Sequence, residues 1–160
     1  MDIPKVEITP GGFSFAIIRI KMGRILAIDY GTKRTGLAVT DPLRIIATAL
    51  NTIETKNILE FLRDYIKKEE VDQIVLGLPK TLKNEDSETA SAVRIFAGKL
   101  KESFPDHPVR FVDERFTSSM AKQAMIESGM KKKDRRNKRN VDKISATLIL
   151  QTYMLMIEGH

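Results

Sequence analysis

Residues 24–40 read RILAIDYGTKRTGLAVT, and this stretch decides the fold of the chain. The apolar run at 25–28 is typical of a strand buried on both faces. The strand ends at an acid, Asp29, and a returning apolar strand follows at 37–39. The two glycines of the stretch allow positive φ where the chain turns between the strands. Asp29 is either a turn residue or part of a site, because a buried carboxylate needs a partner.

The composition limits the chemistry that the chain can perform. Its 160 residues suffice for one domain with a substantial core. Cysteine is absent, which excludes disulfides and thiolate metal sites and fits a reducing compartment. The two histidines, His107 and His160, are too few for a zinc site of several imidazoles, and His107 lies in a loop signature. Hydrolytic chemistry would therefore rest on carboxylates, hydroxyls, lysines and a cation.

The net charge of +6 is concentrated in one segment, residues 131–139. This basic segment holds seven of the 27 basic residues and one of the 21 acidic residues, so the rest of the chain is neutral. A neutral body with one basic loop predicts binding to a polyanion, although a merely solvated tract has the same composition. The basic residues of the segment are Lys131, Lys132, Lys133, Arg135, Arg136, Lys138 and Arg139.

Apolar periodicity predicts an α/β domain with the element order β-β-β-α-β-α-β-α-α. We expect three strands in an antiparallel meander and two further parallel strands, which makes a five-stranded mixed sheet with helices on both faces. The predicted strands lie at 25–28, 37–39, 44–53, 72–78 and 109–112. The predicted helices lie at 54–69, 87–103, 117–129 and 141–157, with the basic segment as a loop before the last.

Residues 1–21 fall outside this pattern and are interpreted as an N-terminal extension to a single domain at 22–160. The apolar run at 13–18 is too short to span a bilayer, and no signal peptide is expected. The extension is a candidate for an added edge strand, and no function is assigned to it.

Three acids occupy matching positions in the predicted sheet. Asp29 ends the first strand, Glu114 follows the fifth, and Asp142 opens the last helix. Because parallel strands end at one edge of a sheet, these side chains are expected to converge. Singly, each acid has a structural explanation: Asp142 as a helix N-cap, and Glu114 as the partner of Arg115. Jointly, beside a polyanion-binding segment, they predict a catalytic site that holds Mg²⁺, with two ions about 4 Å apart for phosphodiester cleavage.

Four motifs in order identify a family. They are IDYGTKRTG at 28–36, GLP at 77–79, DER at 113–115 with hydroxyls at 117–119, and Asp142-x-x-Ser145-Ala146. Together they resemble the YqgF (RuvX) family of Holliday-junction resolvases, which is also implicated in pre-16S rRNA processing. The resemblance covers residues 22–157. One departure is the loop at 84–86, which lacks the glycine common in the family.

The resemblance implies a ribonuclease H-like fold, a bacterial cytoplasmic location and metal-dependent cleavage of nucleic acid. Carried over by position, Asp29, Glu114 and Asp142 would be the catalytic acids that bind Mg²⁺ or Mn²⁺. Asp113 matches a less constant position and is a second-rank metal ligand. Arg115 would orient Glu114 or contact a phosphate.

Lys33 and Arg34 of the hairpin join Arg115 and the basic segment as expected contacts to nucleic acid. The expected partner is precursor rRNA or branched DNA, with no membrane, and the protein is a monomer or a homodimer. The alternative is a non-catalytic nucleic-acid-binding factor of ribosome maturation with the same fold. The hairpin also resembles the phosphate loop of sugar kinases and actin-like ATPases, but those need a second such domain, and this chain has no second Asp-x-Gly loop.

Overall fold

The computed structural model describes residues 5–6, 20–80, 89–115 and 117–158. The strands of its main sheet are β3 (Arg24–Asp29), β4 (Arg34–Thr40), β5 (Ala47–Glu54), β6 (Val71–Leu78) and β7 (Val109–Asp113). They lie in the order β5-β4-β3-β6-β7. Strand β3 pairs antiparallel with β4, and β4 pairs antiparallel with β5, whereas β3–β6 and β6–β7 are parallel. The predicted meander with added parallel strands is therefore confirmed.

Helices cover both faces of this sheet, as predicted. The helices are α1 (Ile58–Lys68), α2 (Ala90–Ser103), α3 (Thr117–Glu127), α4 (Lys132–Arg135) and α5 (Lys138–Glu158), and a 3-10 helix precedes α1 at Thr55–Asn57. Alternation along β3 places Leu26 and Ile28 in a core beneath α1 and α2, and Ile25 and Ala27 in a second core beneath α5. All four side chains are fully buried, which confirms that β3 is the central strand.

The third strand of the meander begins at Ala47 rather than at Arg44. The Asp41 carboxylate accepts hydrogen bonds from the backbone N–H groups of Leu43, Ile45 and Ile46, at 3.1, 2.7 and 2.7 Å. These bonds hold the segment in a turn, in which Arg44 has a φ of 58°. The prediction missed this because Ile45 and Ile46 are apolar enough to read as strand.

The basic segment is partly helical, whereas a loop was predicted. Lys132–Arg135 forms a short helix of its own, and α5 begins at Lys138, three residues before the predicted start. The Asn137 side chain accepts a hydrogen bond from the Arg139 N–H at 3.0 Å, which is the arrangement of a helix N-cap. Asp142 therefore lies in the second turn of α5, and the N-cap explanation for it is wrong.

The described part of the N-terminal extension forms a small sheet of its own. Lys5–Val6 (β1) pairs antiparallel with Ile20–Lys21 (β2), rather than with an edge of the main sheet. The predicted start of the second helix, at residue 87, lies outside the described residues. Among the helices that the structure describes, none is both long enough and apolar enough to cross a membrane.

Candidate active site

Asp29 is the last residue of β3, and its carboxyl group is largely shielded from water. Backbone pairing with Gly36 of β4 fixes its position at the end of the sheet's central strand. Burial, with a smaller contribution from the nearby charge of Asp142, raises the pKa of Asp29 to about 7. An aspartate with this pKa is half protonated near neutral pH and favours a cation that would replace the proton.

Glu114 directly follows β7 and lies over the neighbouring strand β6. Its N–H donates to the carbonyl of Leu78 at 3.3 Å, which extends the pairing of the two strands by one residue. A Cβ atom added to Gly77 would overlap the Glu114 carboxylate, so the side chain rests on the face of that glycine. Burial, Asp29 and Asp113 together raise the pKa of Glu114 to about 8. The charge of Asp29 therefore acts on Glu114 across β6, at the same edge of the sheet.

Asp142 reaches the same region from α5 on the other side of Asp29. A Cβ on Gly36 would overlap the backbone of Asp142, so α5 packs directly on the glycine of β4. The Asp142 Oδ2 atom pairs with Arg34 Nε at 3.2 Å, and both side chains are half-buried. Burial raises the pKa of Asp142, while the ion pair with Arg34 opposes this rise.

Asp142 therefore raises the pKa of Asp29, and Asp29 raises the pKa of Glu114, so that Asp29 is the electrostatic link between the other two acids. Across residues 20–80, 89–115 and 117–158, no three acidic or histidine side chains stand close enough together to hold one metal ion. Asp142 does not complete such a group, because the ion pair with Arg34 holds its carboxylate. Among the described residues, no basic group pairs with Asp29 or Glu114. Two buried carboxyl groups with raised pKa values are a donor set that fits a hard dication such as Mg²⁺.

The expected roles of Arg115 and Asp113 change in the structure. The Arg115 Nε atom pairs with Asp113 Oδ2 at 2.8 Å, and the Arg115 N–H donates to Asp113 Oδ1 at 3.1 Å. Arg115 therefore neutralises Asp113 instead of orienting Glu114, because a carboxylate two residues back lies within reach of the guanidinium. Asp113 still adds to the negative field that Glu114 experiences.

The expected nucleic-acid contacts divide into two groups. Lys33, Arg34 and Arg139 line one cavity of about 480 Å³ next to Asp142, together with Lys56. The other basic residues of the segment 131–139 do not line it, and most of them are exposed on α4 and the start of α5. Sequence reasoning missed Lys56, which follows β5 and reaches the hairpin only because β5 pairs with β4.

The glycines of the opening stretch serve close approach rather than a left-handed turn. Within the described residues, the only glycine with positive φ is Gly129. A Cβ on Gly31 would overlap the carbonyl oxygen of Arg34, and Gly36 makes room for α5. The predicted positive φ is therefore wrong at both positions, although the need for glycine is real.

Comparison with known proteins agrees with this architecture. A protein of Porphyromonas gingivalis named "Putative pre-16S rRNA nuclease" is 55% identical over 133 residues, which is 83% of this chain and 96% of that protein. A protein of the same name from Phocaeicola vulgatus is also 55% identical, with the same coverage of both chains.

Among solved structures, RuvC of T. thermophilus in complex with a Holliday junction substrate superposes with a TM-score of 0.52 at 18% identity. It covers 84% of this chain and 96% of its own, and the likeness confirms the predicted ribonuclease H-like fold. The family described as RuvX: Holliday junction resolvase matches residues 23–156. This chain therefore belongs to the RuvX family of Holliday junction resolvases, which are nucleases.

Proposed function

We propose that this nuclease cleaves phosphodiester bonds of structured nucleic acid in a metal-dependent reaction that uses Asp29, Glu114 and Asp142. The observation that carries the proposal is the placement of Asp29 and Glu114 at one sheet edge, where the charge of Asp29 raises the pKa of Glu114. Their pKa values are raised to about 7 and about 8, and no basic group among the described residues pairs with them. Burying two unneutralised carboxyl groups side by side is costly unless they bind a cation or hold a proton.

Each acid has a distinct part in this proposal. Asp29 and Glu114 would hold Mg²⁺ or Mn²⁺. Asp142 would become a further ligand once it leaves its ion pair with Arg34. When bound, such an ion supplies a Lewis acid and an activated water for phosphodiester hydrolysis. Asp113 is the second-rank ligand, and its pairing with Arg115 argues for a supporting electrostatic role.

The substrate in this proposal is a folded polyanion. The relatives are named for pre-16S rRNA and the family for Holliday junctions, and both are structured nucleic acids with closely spaced phosphates. The exposed lysines and arginines of the basic segment provide the positive charge that such a backbone attracts. We place this activity in the cytoplasm, carried by a single domain at 22–160. A monomer suffices for trimming RNA, whereas symmetric resolution of a junction would favour a homodimer.

A cleavage assay tests the proposal. The purified full chain is incubated with a four-way DNA junction or a 5′-extended 16S rRNA precursor, in Mg²⁺, Mn²⁺ or chelator. We expect cleavage of at least one substrate only with metal, and Asp29→Asn should bind the substrate without cutting it. Cutting that survives Asp29→Asn would place the chemistry elsewhere.

A non-catalytic binding factor is the second candidate, and the Arg34–Asp142 ion pair favours it. If Asp142 stays with Arg34, the acids serve only to shape the fold. In the same assay this function predicts binding without cleavage by both the unmodified chain and Asp29→Asn, in every metal condition.

A further inference from the structure

A basic cavity lies beside Asp142, between the hairpin turn, the end of β5 and the start of α5. Its volume of about 480 Å³ is in the range of ligand pockets. Four of its lining side chains are basic and one is acidic, so positive charge dominates. The lining residues are Thr32, Lys33, Arg34, Glu54, Lys56 and Arg139.

Hydrogen bonds between distant segments hold the walls of this pocket. The Thr55 N–H donates to the Lys33 carbonyl at 2.9 Å, and the Thr55 hydroxyl donates to the Gly31 carbonyl at 2.6 Å. Arg139 Nη1 donates to the Thr52 carbonyl at 3.0 Å, and the Thr52 hydroxyl donates to the Arg139 carbonyl at 2.8 Å. The pocket is thus preorganised, which lowers the cost of ordering its side chains around a ligand.

The chemistry of the lining selects an anionic ligand. Among the described residues that line the pocket, none is aromatic or large and apolar, so they offer no surface on which a base would stack. Lys56 forms an ion pair with Glu54 at 3.0 Å, and Lys56 and Arg139 hold the pKa of Glu54 below its usual range. The cations therefore outweigh the one acid that faces them.

We propose that this pocket binds a phosphate of the nucleic-acid backbone next to the phosphodiester that is cleaved. Arg34 links the two places, because it lines the pocket and also pairs with Asp142. A phosphate in the pocket would position the strand and contribute affinity without reading base sequence. The inference rests on the proposed function only in taking nucleic acid as the ligand.

The test measures binding in EDTA, so that no cleavage is involved. Fluorescence anisotropy of a labelled four-way junction and a labelled precursor-rRNA fragment is recorded with the full chain over a series of salt concentrations. The pocket variant is Lys56→Gln, at a side chain that is 76% exposed and whose replacement should not unfold the protein. The matched control is Lys67→Gln, near the far end of α1 and about 14 Å along the helix axis from its first residue, Ile58.

We expect Lys56→Gln to weaken binding several-fold and to reduce the slope of log K against log salt by about one. The double variant Lys33→Gln/Lys56→Gln should reduce this slope by about two, and Lys67→Gln should have the slope and affinity of the unmodified chain. Unchanged affinity and slope in Lys56→Gln would overturn the proposed pocket. If the unmodified chain binds neither probe, the proposed function itself fails.

A titration with inorganic phosphate, followed by NMR shifts of the pocket backbone, separates the two sources of a phosphate group. Shifts that disappear in Lys56→Gln, together with weaker nucleic-acid binding, support the proposal. Shifts in the unmodified chain, together with unchanged nucleic-acid binding by Lys56→Gln, would assign the pocket to a free phosphate and overturn the proposal.

Discussion

Asp29 retains its proton to a pH at which an ordinary aspartate is ionised, because burial and Asp142 raise its pKa to about 7. In the unfolded chain its pKa returns to about 4. Between these two values the folded state binds more protons than the unfolded state, so the free energy of unfolding falls as the pH rises. Glu114 likewise lowers the free energy of unfolding as the pH rises, up to about pH 8.

The first prediction concerns this pH dependence in metal-free protein. Asp29→Asn removes the group that must ionise in a buried place, so it should be more stable than the unmodified chain at pH 8, by roughly 1–3 kcal/mol. At pH 4.5 the two proteins should differ much less. Urea unfolding at both pH values measures the difference, and a loss of stability at pH 8 would contradict the assigned environment of Asp29.

The second prediction concerns Arg34, which holds the carboxylate of Asp142. Arg34→Gln should bind Mn²⁺ several-fold more tightly than the unmodified chain in the absence of nucleic acid, because it frees that carboxylate. Lys33→Gln is the matched control, since it removes a neighbouring positive charge that makes no ion pair with Asp142 in the structure. Equal Mn²⁺ affinity in both variants, measured by calorimetry, would show that the ion pair does not restrain metal binding.

At the scale of elements, two glycines set how closely the parts of the site approach. Gly77 of β6 supports the Glu114 carboxylate and also touches Ile149 of α5. Gly36 of β4 allows the backbone of α5 to reach the sheet at Asp142. Both acids thus depend on the absence of a side chain on a neighbouring strand.

The third prediction is that Gly77→Ala displaces Glu114 and lowers cleavage at least tenfold, with a loss of about 1–3 kcal/mol in unfolding free energy from overpacking. Gly98→Ala in α2 is the control, because its added Cβ meets nothing within 4 Å. That change should stabilise the helix by about 0.5–1 kcal/mol and leave cleavage unaltered. Normal cleavage by Gly77→Ala would mean that the position of Glu114 is not critical.

The sequence was sufficient for the elements whose apolar pattern is strong. The run at 25–28 predicted the central strand, and the alternating meander and parallel strands followed from element order. The start of β5 was not predictable from pattern, because three hydrogen bonds to Asp41 override the strand preference of Ile45 and Ile46. The start of α5 was missed for a similar local reason, the Asn137 cap.

For the site, the sequence predicted three candidate acids but not their partners. Asp29, Glu114 and Asp142 were named from strand ends and motif order. The pairing of Arg34 with Asp142 joins residues 108 positions apart, and the place of Lys56 depends on strand register. Such contacts arise from tertiary packing, which no local pattern encodes.

At the scale of the whole molecule, two clusters of basic side chains stand out among the described residues, the pocket beside Asp142 and the exposed residues of α4 and its flanks. The fourth prediction is that Lys131→Gln/Lys132→Gln/Lys133→Gln lowers the salt slope of nucleic-acid binding by up to three. These side chains are exposed, so the thermal midpoint should hardly move. An unchanged slope would show that this segment does not touch the phosphate backbone.

Central to the proposed function is a divalent-metal site whose core Asp29 and Glu114 would form together. Calorimetric titration of Mn²⁺ into the full chain at pH 8, beside Glu114→Gln and the surface control Lys67→Gln, tests it most directly. We predict saturable binding by the unmodified chain and by Lys67→Gln, and at least tenfold weaker binding by Glu114→Gln. No saturable binding by the unmodified chain, or equal binding by Glu114→Gln, would contradict the claim.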